Sequence, residues 1–172
     1  MQIKAETAKA LARRYPETVV LVTTRSPEGT ANAMAVGWVM LASGEPAMFA
    51  LGIDDASYTY ELIRQTKQFV VAFPSEGMAE QTLHVGSHPG LGRDKLAECG
   101  LKTQPASAVR APLAADAVAN FECELVTIVK PGDCPIVIGT VLAAHVNETS
   151  DVKRLYTLAP NHVLGRIAAQ TP

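Results

Sequence analysis

At 172 residues, with 48% hydrophobic and 19% charged side chains, the chain has the composition of one folded domain and not of a disordered segment. Fifteen Lys and Arg against seventeen Asp and Glu, with only four Phe, four Tyr and one Trp, offer neither a basic surface nor stacking platforms, so no nucleic-acid partner is expected. Three cysteines without a C-x-x-C, an N-terminus without a signal-peptide profile and a longest weakly polar run (33–42) of about half a membrane span predict a cytoplasmic, reducing setting with no membrane role.

In chain order, the apolar spacing of Ile3, Ala8, Leu11 and Ala12 predicts an amphipathic helix within residues 1–14, stopped near Pro16. The β-branched run Thr18 to Thr24 predicts a strand, and Ser26-Pro27-Glu28-Gly29 supplies turn chemistry. A second strand, Ala31 to Ala42, then pairs back as a hairpin. Ser43 to Pro46 is another turn, followed by a third strand to Ile53. The period changes over 57–67, where Tyr58, Leu62, Ile63 and Thr66 share a helical face. Phe69 to Phe73 is again a strand. Two short helical pieces, 76–85 and 92–98, flank a glycine-rich loop, and two long strands follow at 119–130 and 135–147. The C-terminal extension, 148–172, reads as a short helical patch and a Pro/Asn loop.

Strands that arrive through tight turns, interrupted by one helix of any length, predict a mainly β fold. Its antiparallel sheet is expected to close into a barrel with a few peripheral helices, as a single domain over 1–172. No Rossmann or phosphate-loop glycine pattern accompanies these strands.

The four histidines have no metal-ligand spacing, so no metal site is expected, and no side chain is assigned a catalytic role. Two stretches have chemical promise. Asp54-Asp55-Ala56-Ser57-Tyr58-Thr59 joins a strand to a helix, placing hydroxyls where free backbone N–H groups can hold an anion. The alternative is that Ser57 or Thr59 only caps the helix. Arg93 and Lys95 are the candidate cations, or else part of an ordinary solvated face. Asn32-Ala33-Met34-Ala35-Val36-Gly37-Trp38 combines an amide, small residues and a glycine in a strand, which would let a flat ligand approach the backbone. Ordinary packing explains the small residues equally well.

Asn32 to Trp38, the turn ending at Pro46, Tyr58-Thr59-x-Glu61-Leu62-Ile63, Phe69-Val70-Val71, Gly92-Arg93-Asp94-Lys95-Leu96, Cys99-Gly100-Leu101, Ala111-Pro112, Phe121-Glu122-Cys123 and Ile138-Gly139-x-Val141 occur in an order that resembles the flavin reductase-like (flavoredoxin-type) family. The resemblance implies a homodimeric Greek-key split barrel that binds FMN. By position, Asn32, Ala33, Met34, Ala35, Val36, Gly37 and Trp38 would lie along the ring and ribityl chain. Ser57, Tyr58 and Thr59 would hold the phosphate, with Lys95 nearby. The family pattern usually has hydroxyls where this chain has Ala35 and Gly37, and a histidine where Cys134 stands. The implied function is an FMN-dependent oxidoreductase that passes hydride from NADH or NADPH through flavin to a small-molecule acceptor, with His84, His88 or His145 available to orient the nicotinamide. The alternatives are an FMN-binding protein or flavin carrier without efficient reductase activity, and a flavin-free structural dimer.

Overall fold

Helix α1 (Thr7–Leu11) spans only part of the expected N-terminal helix and buries no side chain in this computed structural model, which describes residues 1–168. The β-branched residues that follow enter strands: β1 (Glu17–Thr18), β2 (Val20–Arg25), β3 (Ala31–Val36), β4 (Val39–Gly44) and β5 (Ala47–Gly52). Helix α2 (Tyr58–Thr66) leads into β6 (Gln68–Phe73), and a turn of 3-10 helix at Glu76–Met78 leads into α3 (Ala79–Ser87) and α4 (Lys95–Cys99). The remaining strands are β7 (Thr103–Gln104), β8 (Leu113–Ala114), β9 (Ala119–Val129), β10 (Ile136–Val146), β11 (Tyr156–Ala159) and β12 (Val163–Gly165). Among the described residues, no helix is long and apolar enough to cross a membrane.

Seven strands form one antiparallel sheet in the order β3-β2-β6-β9-β10-β5-β4. The expected hairpin is present, with Val20 opposite Val36 and Arg25 opposite Ala31. Two expectations need correction. The run 31–42 is not one strand, because it breaks at Gly37-Trp38 into β3 and β4, which lie at opposite edges of the sheet. Nor, among the described residues, does hydrogen bonding close the sheet into a barrel, since β3 pairs only with β2 and β4 only with β5. Two linking residues reach roughly 10 Å at most, so the sheet must curl until its edges approach while leaving a gap between them.

Inside the curl, Val20 and Val22 of β2, Val36 of β3, Phe49 and Leu51 of β5, Phe69 and Val71 of β6 and Val137 of β10 form one buried core. Each such side chain contributes about 1.5–3 kcal/mol by leaving water. Gly139 makes room for this core: a Cβ there would fall 2.3 Å from Cζ of Phe69. The intervening Leu21, Ala33 and Ala72 face outward, where they pack with Met78 and Val85 and with Leu96 of α4. Strands β2 and β6 are therefore covered on both faces, which explains their unbroken apolar runs.

The C-terminal extension is a strand hairpin instead of a helical patch; residues 169–172 of it lie outside the described residues. Strand β11 pairs with both β1 and β12, and Arg154 lies across the Phe73 ring at 4.1 Å, fastening the hairpin to the main sheet. The irregular segment after β7 is fastened by Glu122 of β9, which is buried. This carboxylate accepts from Ser107 N (2.8 Å), Ser107 Oγ (2.7 Å), Ala108 N and Val109 N (2.9 Å), and lies 2.6 Å from His145 Nε2. Burial alone would raise its pKa, but these donors outweigh it and bring the value down to about 2.

Candidate functional site

The strand-to-helix junction at 54–59 is built as a capped helix start for α2. Asp54 Oδ1 accepts from Ala56 N (2.9 Å) and Ser57 Oγ accepts from Tyr60 N (3.2 Å), so Ser57 is the helix cap. The N–H groups of Tyr58 and Thr59 belong to the first turn and have no acceptor within the helix. Thr59 is buried, and its hydroxyl accepts from Asn32 Nδ2 at 2.9 Å.

Facing this end across a cleft of about 250 Å³ is Lys95, only 3% exposed. Asp94 caps α4 by accepting from Ala97 N, which starts the helix so that the next side chain turns inward. Lys95 Nζ donates to the backbone carbonyls of Val85 and His88, each at 2.9 Å, and makes no ion pair among the described residues. Burial pushes its pKa down. A buried ammonium held by neutral groups alone is costly, and an anion in this cleft would compensate it. Arg93 is engaged elsewhere, donating to both oxygens of Glu98 at 3.0 and 2.7 Å, and these bonds hold Glu98 below the usual carboxylate range.

A larger cleft of about 590 Å³ adjoins the first, and Met34 and Gly86 line both. One wall is β3 and the link beyond it, from Met34 to Trp38. A second is α3, with Thr82, Leu83, Gly86 and Ser87. The termini close it: Arg14, Tyr15 and Glu17 from the first segment, and Thr157, His162 and Leu164 from the C-terminal hairpin. Trp38 lies against Gly52, where a Cβ would come within 2.9 Å of the indole.

Of the residues expected to meet a ligand, Met34, Ala35, Val36, Gly37 and Trp38 line the large cleft. Ser57, Tyr58, Thr59 and Lys95 meet in the small one, together with Met34. Asn32 and Ala33 line neither. Asn32 is buried between the hydroxyls of Thr24 and Thr59, while Ala33 points to the outer side of β3, into the cluster formed with α3 and α4. The small residues of β3 thus serve helix packing too, since a Cβ on Gly86 of α3 would lie 3.0 Å from that of Ala35.

The four histidines fall in different surroundings. His145 is bound to Glu122 and His84 stacks on His88 and pairs with Glu98, and neither lines these two clefts. His88 lines the small cleft and His162 the large one. The walls from α3 and the C-terminal hairpin were missed from sequence. A threonine within a helix carries no distinguishing pattern, and the hairpin turn depends on positive φ at Asn161 and His162, residues that also occur in ordinary loops. Among the described residues no cluster of His, Cys, Asp or Glu suits a metal.

Known proteins agree with this architecture. The family described as "Flavin reductase like domain" matches residues 12–160. The fold is similar to flavoredoxin of Desulfovibrio vulgaris (TM-score 0.85, 22% identity, covering 99% of this chain and 96% of that one). It is also similar to an FMN-binding protein of Thermus thermophilus solved with bound p-hydroxybenzaldehyde (0.86, 23%, 99% and 98%). An NADH:FAD oxidoreductase of Streptomyces globisporus is likewise similar (0.81, 20%, 98% and 99%). With the match covering most of the chain and both clefts falling inside or beside it, this protein belongs to the flavin reductase-like domain family.

Proposed function

We propose that the protein is an FMN-dependent oxidoreductase of the flavin reductase type. The observation that carries this reading is Lys95, a buried cation without an ion pair among the described residues, facing the N-terminal turn of α2 across the small cleft. A phosphate group suits that donor set: an ammonium, the Ser57 and Thr59 hydroxyls, and the free N–H groups of Tyr58 and Thr59. The adjoining larger cleft has the size and mixed lining of a site for a flat heteroaromatic ring. When bound, FMN would supply the redox chemistry, accepting hydride from NADH or NADPH and delivering electrons to a small-molecule acceptor.

The chain's own residues bind, orient and exclude. Lys95 and the first turn of α2 hold the phosphate end. Met34 to Trp38 and α3 confine the ring, and His162 is the histidine on hand in the same chamber. No side chain needs to act as acid or base. The working unit is a cytoplasmic homodimer of one-domain chains.

A flavin carrier without efficient reductase activity is the second reading. It is favoured by Ala35 and Gly37, which give the strand wall no side-chain hydrogen bond for a ring. The visible absorption spectrum before and after anaerobic NADH or NADPH separates the readings. A yellow protein that bleaches supports the reductase, and a yellow protein that does not bleach supports the carrier. A colourless protein that ignores added FMN removes both.

A further inference from the structure

In helix α3, one hydroxyl stands apart from its neighbours. Thr82 is 1% exposed, and its Oγ1 is buried without any hydrogen-bond partner among the described residues. A buried helical threonine ordinarily satisfies itself by donating to a carbonyl three or four residues earlier, and the carbonyls of Met78 and Ala79 do not accept here. One turn later on the same wall of the large cleft, Ser87 does follow that rule and donates to the Leu83 carbonyl at 2.8 Å. A buried hydroxyl without a partner is costly, so its position on a residue that lines a cleft points to a partner that arrives from outside.

Gly86 sets the geometry. Its missing side chain lets α3 settle against Ala35 of β3, with Thr82 one turn away on the same side of the chamber. Across from it, Ala35 and Gly37 offer no hydroxyl. We propose that Thr82 is the side chain that hydrogen-bonds the polar edge of a flat heterocycle bound in the large cleft, so that α3 supplies the specificity contact that β3 lacks. The inference rests on the flavin reading above and names a positioning residue within it; in that reading the heterocycle is the isoalloxazine ring.

The test is titration of the full-length protein with FMN and with riboflavin, followed by fluorescence, for wild type, Thr82→Val and Thr82→Ser, with melting of each ligand-free protein alongside. Valine keeps the shape and removes the hydroxyl. Thr82→Val is expected to weaken FMN and riboflavin alike, by about three- to tenfold, because the contact is to the ring and not to the phosphate. The ligand-free variant should melt no lower than wild type, since an unsatisfied group has been removed, and Thr82→Ser should recover the affinity. If Thr82→Val binds both flavins as wild type does, or melts lower without flavin, the hydroxyl has a structural role and the inference falls while the flavin reading stands. If wild type binds neither flavin, both fall together.

Discussion

Asn32 Nδ2 donates to Thr59 Oγ1 across 2.9 Å, joining the edge strand β3 to the first turn of α2. The bond occupies the threonine oxygen and leaves its hydrogen free to donate into the small cleft. In this arrangement the Asn32 amide orients the Thr59 hydroxyl.

Replacing Thr59→Ala together with Lys95→Ala is therefore expected to weaken FMN by about a hundredfold or more, because a hydrogen bond to a charged group contributes roughly 1.5–3 kcal/mol. Riboflavin, which lacks the phosphate, should lose much less. Isothermal titration with both ligands checks this. Equal losses would mean that the two residues act through folding, and no loss for either would move the phosphate elsewhere.

Acid stability should depend on Glu122. Its folded pKa is about 2, below its ordinary value of 4.5. The stabilisation it supplies is complete above the ordinary carboxylate range and is lost as pH falls from there towards 2. Glu122→Gln should flatten that part of a thermal-melt profile. At pH 7 it should lower stability by about 2–3 kcal/mol, roughly 5–10 °C for a chain this long. An unchanged acid limb would show that the network around Ser107 and Val109 is not what the carboxylate stabilises.

How much of this was legible in the sequence depended on whether the signal was local. The strand at 20–25, its hairpin turn and the capped helix at 58–66 announce themselves through β-branching, Pro-Glu-Gly and Ser57. The break at Gly37-Trp38 does not, because tryptophan favours strands and one glycine is a weak stop; only pairing with distant β5 decides it. Lys95 could be picked as a candidate cation, but its burial follows from Asp94 capping a helix of five residues. The burial of Glu122 has no local signal, since the groups that surround it come from a segment thirteen to fifteen positions away and from His145 on β10. The closed barrel was expected from strands that arrive through tight turns, a pattern that cannot reveal whether the last pair of edges meets.

Self-association is expected through the sheet's outward apolar side chains. Met40 and Leu41 on β4, Val126 on β9 and Leu142 and Val146 on β10 are all exposed. Light scattering at micromolar concentration should give twice the chain mass of 18.2 kDa. Val126→Glu with Leu142→Glu should shift the protein towards monomer without unfolding it. A stable wild-type monomer would overturn the dimer.

All three cysteines are free. Alkylation after denaturation without reductant should add three labels. In the native state Cys123 should resist, because burial pushes its thiol up to about 12, whereas the partly exposed Cys99 and Cys134 should react first. Fast native labelling of Cys123 would contradict its place in the core.

The indole of Trp38 has a practical consequence. It is the chain's single tryptophan, 58% exposed, seated on the Gly52 backbone in the wall of the large cleft. All tryptophan emission from the protein thus originates at one known point, and any ring that absorbs near 350 nm and settles in that chamber will quench it by proximity. The molecule carries its own optical gauge of occupancy, readable in a cuvette without label or mutation.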